Sequence, residues 1–221
     1  LAADGTYTYT LNAGDPDFLA LKGGGNGTET FTYTLTDSDG DSSTANLVLN
    51  VHNNNDPVVL NGLDVTGGEL TVYENILPNG SAELGGKSSL TQTGTFTVTS
   101  LDGLHTLTVN GLNVVVGGAG ITSPLVSTTP LGNTLTINSY DPATGTVTYS
   151  YTLNGAEQHP NGNGTNSLTE HFEVIATDVD GSTISGSVDV NIIDDVPTAA
   201  ADSGSGVEGD TITLNVLTND V

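Results

Sequence analysis

The chain has 221 residues, 26 acidic side chains, two lysines (Lys22 and Lys87), no arginine, no cysteine and a formal net charge of −24. That balance excludes nucleic-acid binding by phosphate neutralisation and argues against docking on an anionic membrane. Salt bridges cannot absorb the carboxylates, disulfides and thiolate metal sites are unavailable, and no apolar run approaches the ~18 residues of a membrane span, so water, protons or metal cations are the partners left.

The opening stretch "LAADGTYTYTLN" puts Tyr7, Tyr9 and Leu11 on one face and threonines on the other. It reads as mid-domain, so the chain is expected to be part of something longer. "TFTYTLT" repeats the alternation with Phe31, Tyr33 and Leu35, and "NLVLNV" with Leu47, Leu49 and Val51. "TFTVTS", "TLTVN", "TVTYSYTLN", "HFEVIAT" and "SVDVNII" continue it. Period-2 runs rich in Thr, Val and Tyr are half-buried antiparallel strands, and the Gly, Asn, Asp and Pro clusters between them are turns. No segment has a helical pattern. The expected fold is all-β, with Ig- or cadherin-like β-sandwich domains in tandem.

An internal repeat gives the domain organisation. "TETFTYTLTDSDGDSSTANLVLNVHNNNDP" aligns with "TEHFEVIATDVDGSTISGSVDVNIIDDVP", Phe31 matching Phe172, Asp37 matching Asp178 and Gly40 matching Gly181. Upstream, "TYTYTLN" matches "TYSYTLN". Each copy thus holds a tyrosine strand, a strand running into T-D-x-D-G, a final strand, and an Asp/Asn linker ended by proline, which stops the strand and stiffens the junction. Residues 1–56 are then the C-terminal part of one domain, 57–197 a complete domain, and 198–221 the N-terminal part of a third.

The turns carry the chemistry. Asp37, Asp39 and Asp41 fall within five positions, and Asp178 and Asp180 repeat the first two. Adjacent like charges repel, more so when desolvated, so a positive partner is expected. An EF-hand is excluded: counted from Asp37, glycine falls at the fourth position and Val48 at the twelfth, where that loop needs glycine sixth and a carboxylate twelfth. Alternate carboxylates on a tight turn can still converge on one hard cation, and the linkers add oxygens from Asn54, Asp56, Asp194 and Asp195. As a bare hairpin turn D-x-D-G needs no ion, since Asp and Gly are ordinary turn residues. Its recurrence with an acidic linker favours calcium. "GGNGTE" (residues 24–29) approximates a calcium-binding nonapeptide, but a single copy outside a tandem array reads as a loop.

"TYTYTLN", "TFTYTLTDSDGDSSTANLVLNV", "IDDVPTAAADSG" and "LNVLTNDV" resemble the tandem extender repeats of bacterial RTX adhesins, which are secreted by type I systems and belong with cadherin-like and bacterial immunoglobulin-like modules. The resemblance implies an extracellular, calcium-rigidified stalk whose partners are neighbouring repeats of the same chain. "HNNNDP" also resembles a cadherin interdomain linker. In such families a glutamate early in each domain joins the linker site, which implies Glu74 and Glu208, with Asp210 beside the latter.

Enzyme signatures are absent: no G-x-S-x-G, no H-E-x-x-H, no Cys nucleophile, and four histidines without metal-ligand spacing. A sugar- or peptide-binding module within such an adhesin is the alternative reading; the chain has no Trp, and only Tyr73 and Tyr140 lie outside the strongly alternating strands. Residues 198–221 look like the opening strands of a domain whose closing strands lie in residues 1–56. The expectation is that the two pieces pair between chains, head to tail, the alternative being that each packs on the central domain.

Overall fold

The computed structural model describes residues 2, 4–12, 16–21, 25–52, 54–82, 89–160, 164–216 and 220, so Lys22 and Lys87 lie outside the described residues. The chain is all-β. Its strands are β1 (Asn26–Thr36), β2 (Ser42–His52), β3 (Val59–Asn61), β4 (Leu70–Tyr73), β5 (Thr91–Thr99), β6 (Leu104–Val109), β7 (Leu112–Val116), β8 (Ala119–Gly120), β9 (Leu125–Thr128), β10 (Thr134–Asp141), β11 (Thr146–Thr152), β12 (Ser167–Asp178) and β13 (Thr183–Ile193). Among the described residues helix is limited to single turns at Pro16–Leu19 and Glu74–Ile76, and no described helix is long and apolar enough to cross a membrane.

Two sheets pack face to face between Val59 and Ile193. One runs β3-β5-β11-β10-β9; the other runs β4-β13-β12-β6-β7-β8. Alternation produces the core directly. Odd positions of β11 send Val147, Tyr149 and Tyr151 inward, and even positions of β12 and β13 send in Phe172, Val174, Val188, Val190 and Ile192. Tyr149 lies over Gly94 of β5, where a Cβ would come within 2.6 Å of the phenol oxygen, so that strand position has to be glycine. β4 joins β13 in parallel, Leu70 opposite Val190 and Val72 opposite Ile192, and covers its outer edge.

The hairpin β1–β2 forms a sheet of its own. Two sequence expectations change here. Residues 6–12, expected as a strand, lie alongside β1 without a ladder: among the described residues no strand flanks them as β10 and β5 flank the matching β11. Residues 198–216, expected as opening strands, form no strand among the described residues. The nonapeptide-like stretch also differs, since Asn26–Glu29 begins β1; Gly24 lies outside the described residues.

Candidate metal centre

Strand β12 carries a carboxylate at each end of its buried face. The parity that sends Phe172, Val174 and Ala176 into the core also sends in Glu170 and Asp178, 7% and 1% exposed, at opposite poles of the sandwich. Glu173, on the other parity, faces out.

At the Asp178 pole the T-D-x-D-G turn closes β12 onto β13. The Asp178 N–H donates to the Ser182 carbonyl at 3.0 Å, and Gly181 turns the chain at φ +97°, a left-handed conformation that disfavours any side chain. Asp178 Oδ1 accepts the Ser182 N–H at 2.7 Å. Its other oxygen, Oδ2, is buried with no hydrogen-bond partner. An unpaired buried carboxylate oxygen is costly and calls for a ligand.

A second turn supplies the next carboxylate. Ser100–Gly103 links β5 to β6 and is held here by the Val179 N–H donating to the Gly103 carbonyl at 3.0 Å. It places Asp102, 4% exposed, so that oxygens of Asp102, Asp178 and Asp180 all lie within 4.8 Å of one another. The β12–β6 ladder is irregular between Thr177 and Asp178, the kind of break that re-aims a side chain.

The linker before this unit lies across the group. The Asp56 N–H donates to Asp102 Oδ2 at 2.6 Å, and Ser182 Oγ donates to Asn55 Oδ1 at 3.1 Å. With its amide turned over, the Asn55 side-chain nitrogen donates to the Asp180 carboxylate. Asp180 is held above its ordinary value, first by the neighbouring Asp178 carboxyl and then by burial. Two carboxylates that share a site keep a proton until something else neutralises them. The described residues include neither lysine nor arginine. The donors on hand are oxygens only, a set that suits a hard cation such as Ca²⁺, which takes six to eight at ~2.3–2.6 Å.

The opposite pole gathers a different set. Glu74 Oε1 accepts the Glu157 N–H at 2.7 Å and pairs with His159 Nε2 at 3.0 Å, and a carboxylate oxygen of Asp194 lies within the same 4.8 Å group. Asp195 instead holds the neighbouring loop, its oxygens accepting from the Ser81 N–H at 2.8 Å and from the Ser81 hydroxyl. Nearby, Tyr151 donates to Glu170 at 2.6 Å, and burial pushes the Glu157 carboxyl up, aided by the charges of Glu170 and Glu74 and opposed by a hydrogen bond from Asn133.

Asp37, Asp39 and Asp41 form a third group, fully exposed at the tip of β1–β2. Asp37 Oδ1 accepts the N–H groups of Gly40 and Asp41 at 3.0 and 2.9 Å. Asn54 is exposed beside the linker contact, and Glu208 and Asp210 occupy an exposed turn where Asp210 accepts the Val207 N–H; neither Glu208 nor Asp210 belongs to a group of three His, Asp or Glu ligands among the described residues. One expectation is redirected. The T-D-x-D-G turn meets the linker that precedes its domain; the linker that follows, with Asp194 and Asp195, lies at the far end of the 11-residue β13, roughly 36 Å away at ~3.3 Å per residue.

Asp102, Asn55 and His159 were not singled out from the sequence. Asp102 sits in an ordinary Asp-Gly turn, and only the β6–β12 pairing reveals its neighbours. His159 carries no spacing signal, because Glu74 lies 85 residues away. Compared with family models and with curated proteins, the chain matches none.

Proposed function

We propose that this chain belongs to the calcium-rigidified extender (stalk) of a large bacterial surface adhesin of the RTX type, exported by type I secretion, whose tandem repeats project a binding tip for cell adhesion or biofilm formation. In this reading residues 57–197 are one repeat, flanked by the closing part of the repeat before and the opening part of the next. The observation that carries it is the seat of the linker: the Asp56 N–H donates to Asp102 and Asn55 bonds to Ser182, beside the group of Asp102, Asp178 and Asp180 in which a buried oxygen of Asp178 has no hydrogen-bond partner. A cation held there joins the linker to two turns of the sandwich and restricts bending between repeats. Extracellular calcium modules typically bind at ~0.1–1 mM, so the ion is available outside a cell and scarce within. The stalk would stay loose during export and stiffen outside.

Limited proteolysis with and without calcium tests this. The bonds around residues 54–57 should resist cleavage in calcium and be cut in chelator, with the sandwich spared in both. Equal cleavage in the two conditions contradicts the reading.

A further inference from the structure

β4 and β13 run parallel with Tyr73 opposite Ile193, so the residues that follow them, Glu74 and Asp194, leave the sheet at the same end. The segment after β11 brings in His159, and one ligand atom from each of the three lies within 4.8 Å of the others. Local bonds hold the three stretches together. The Glu157 N–H donates to Glu74 Oε1 at 2.7 Å. The Asn166 side-chain amide donates to the Pro160 carbonyl at 3.2 Å, and the Asp194 N–H donates to the Asn166 carbonyl at 2.9 Å, so Asn166 ties the histidine segment to the aspartate.

Within this group the imidazole is not satisfied by protein atoms. The side chains of His159 and Glu74 are 4% and 3% exposed. His159 Nε2 meets Glu74 Oε1 at 3.0 Å, while Nδ1 is buried with no hydrogen-bond partner. If Nε2 donates, Nδ1 is a lone pair with no donor. If Nε2 is bare, it faces a carboxylate oxygen, and Nδ1 is an N–H with no acceptor. Either tautomer leaves a buried polar atom unpaired, which is costly. The Asn166 side-chain oxygen is likewise buried without a partner. Glu157 and Glu170 add carboxylates around the same imidazole.

We propose that Glu74, His159 and Asp194 hold a Zn²⁺ ion, in a site separate from the oxygen-only junction at the other pole. Calcium takes oxygen ligands, whereas one imidazole with two carboxylates is a donor set for zinc, at ~2.0–2.1 Å from nitrogen and ~2.0–2.2 Å from oxygen. An ion on the ring's lone pair fixes the tautomer, and the two carboxylates neutralise its charge. Three protein ligands leave a fourth tetrahedral position open. The ion staples Asp194, where the following linker begins, to the end of β4 and to the segment after β11. It does so whether or not the first linker binds calcium.

Calorimetric titration of the whole chain with zinc chloride, calcium already in excess, tests this. One zinc site is expected, and a hundredfold excess of calcium should not displace it. His159→Gln should weaken it at least about a hundredfold, and Asp194→Asn, at the half-buried ligand where replacement disturbs the fold least, at least about tenfold. Melting in chelator reports whether each variant is folded; Asp194→Asn decides if His159→Gln is not. Cobalt(II) in place of zinc should give visible ligand-field absorption that His159→Gln removes. Asp102→Asn, at the other pole, and His171→Gln, in the exposed His171–Asp189 pair, should keep the zinc site. Zinc binding that persists where Asp102→Asn has abolished calcium binding separates this proposal from the calcium junction. No zinc site, ready displacement by calcium, full affinity in a folded His159→Gln or Asp194→Asn variant, or loss of the site in His171→Gln or Asp102→Asn would overturn the proposal.

Discussion

Two hairpins of the same register end in the same turn, yet one is core and the other is surface. In β12–β13 Phe172 is 1% exposed; in β1–β2 its counterpart Phe31 is 46% exposed. The turns agree to the hydrogen bond: Gly40 and Gly181 sit at φ +99° and +97°, and each donates to the first aspartate's carbonyl at 3.4 Å. Local sequence therefore sets the pairing and the turn, and neighbours set everything else. β4, β6 and the opposing sheet bury one hairpin, and Asp102 and a linker dress one turn.

The largest contrast should lie in the core. Phe172→Ala is expected to cost roughly 3–5 kcal/mol in denaturant unfolding, and Phe31→Ala about 1 kcal/mol or less, because only the first opens a cavity in packed surroundings. Comparable losses would mean that the β1–β2 face is covered after all.

Calcium should separate the turns next. A site filled at 100 times its dissociation constant adds about 2.7 kcal/mol, or roughly 5–10 °C in melting temperature for a unit of this size. Asp178→Asn should remove most of that increment, and should melt no lower than the unaltered chain in chelator, where it relieves carboxylate repulsion. Asp37→Asn should leave the increment nearly intact. If Asp178 serves only as a turn former, its replacement lowers the melting temperature equally in both conditions.

The tyrosine pairs sharpen the contrast further. Tyr151→Phe deprives the buried Glu170 of its 2.6 Å hydrogen bond and should cost about 1–3 kcal/mol; Tyr9→Phe, in the open hairpin, should cost below about 0.5 kcal/mol.

The all-β fold, the inward parity of Phe172, Val174 and Ala176, and the repeat itself were legible in the sequence, because period-2 alternation and the Asp-Gly turn are local signals. Non-local pairing was not. Nothing in "SLDGLH" says that Asp102 meets Asp178, since the meeting depends on β6 joining β12. The partnership between a turn and the preceding linker was hidden for the same reason: adjacency in sequence pointed to the following linker, while the length of β13 carries that linker to the other pole.

Proton titration gives the smallest effect, and one of opposite sign in the two turns. Asp180 is raised, so the folded chain keeps a proton that the unfolded chain loses near pH 3.8. The stability this contributes is complete below that pH and is lost as pH rises through the raised value, in the absence of a cation. Asp37 is lowered, first by its hydrogen bond with Asp39 and also by backbone N–H groups, so its contribution is present above pH 3.8 and lost as pH falls through the lowered value. Carboxyl chemical shifts followed by NMR in chelator should show Asp180 titrating above 3.8 and Asp37 below it.

The most direct test of the cation-bearing junction is calorimetric calcium titration of the whole chain against Asp102→Asn. Asp102 is buried on the β5–β6 turn and accepts the Asp56 N–H, so its replacement removes a carboxylate from the group while keeping the T-D-x-D-G sequence. The expected result is a site with a dissociation constant of about 0.1–1 mM that vanishes in the variant, lowering the number of ions bound by one. Identical isotherms for the two proteins would contradict it.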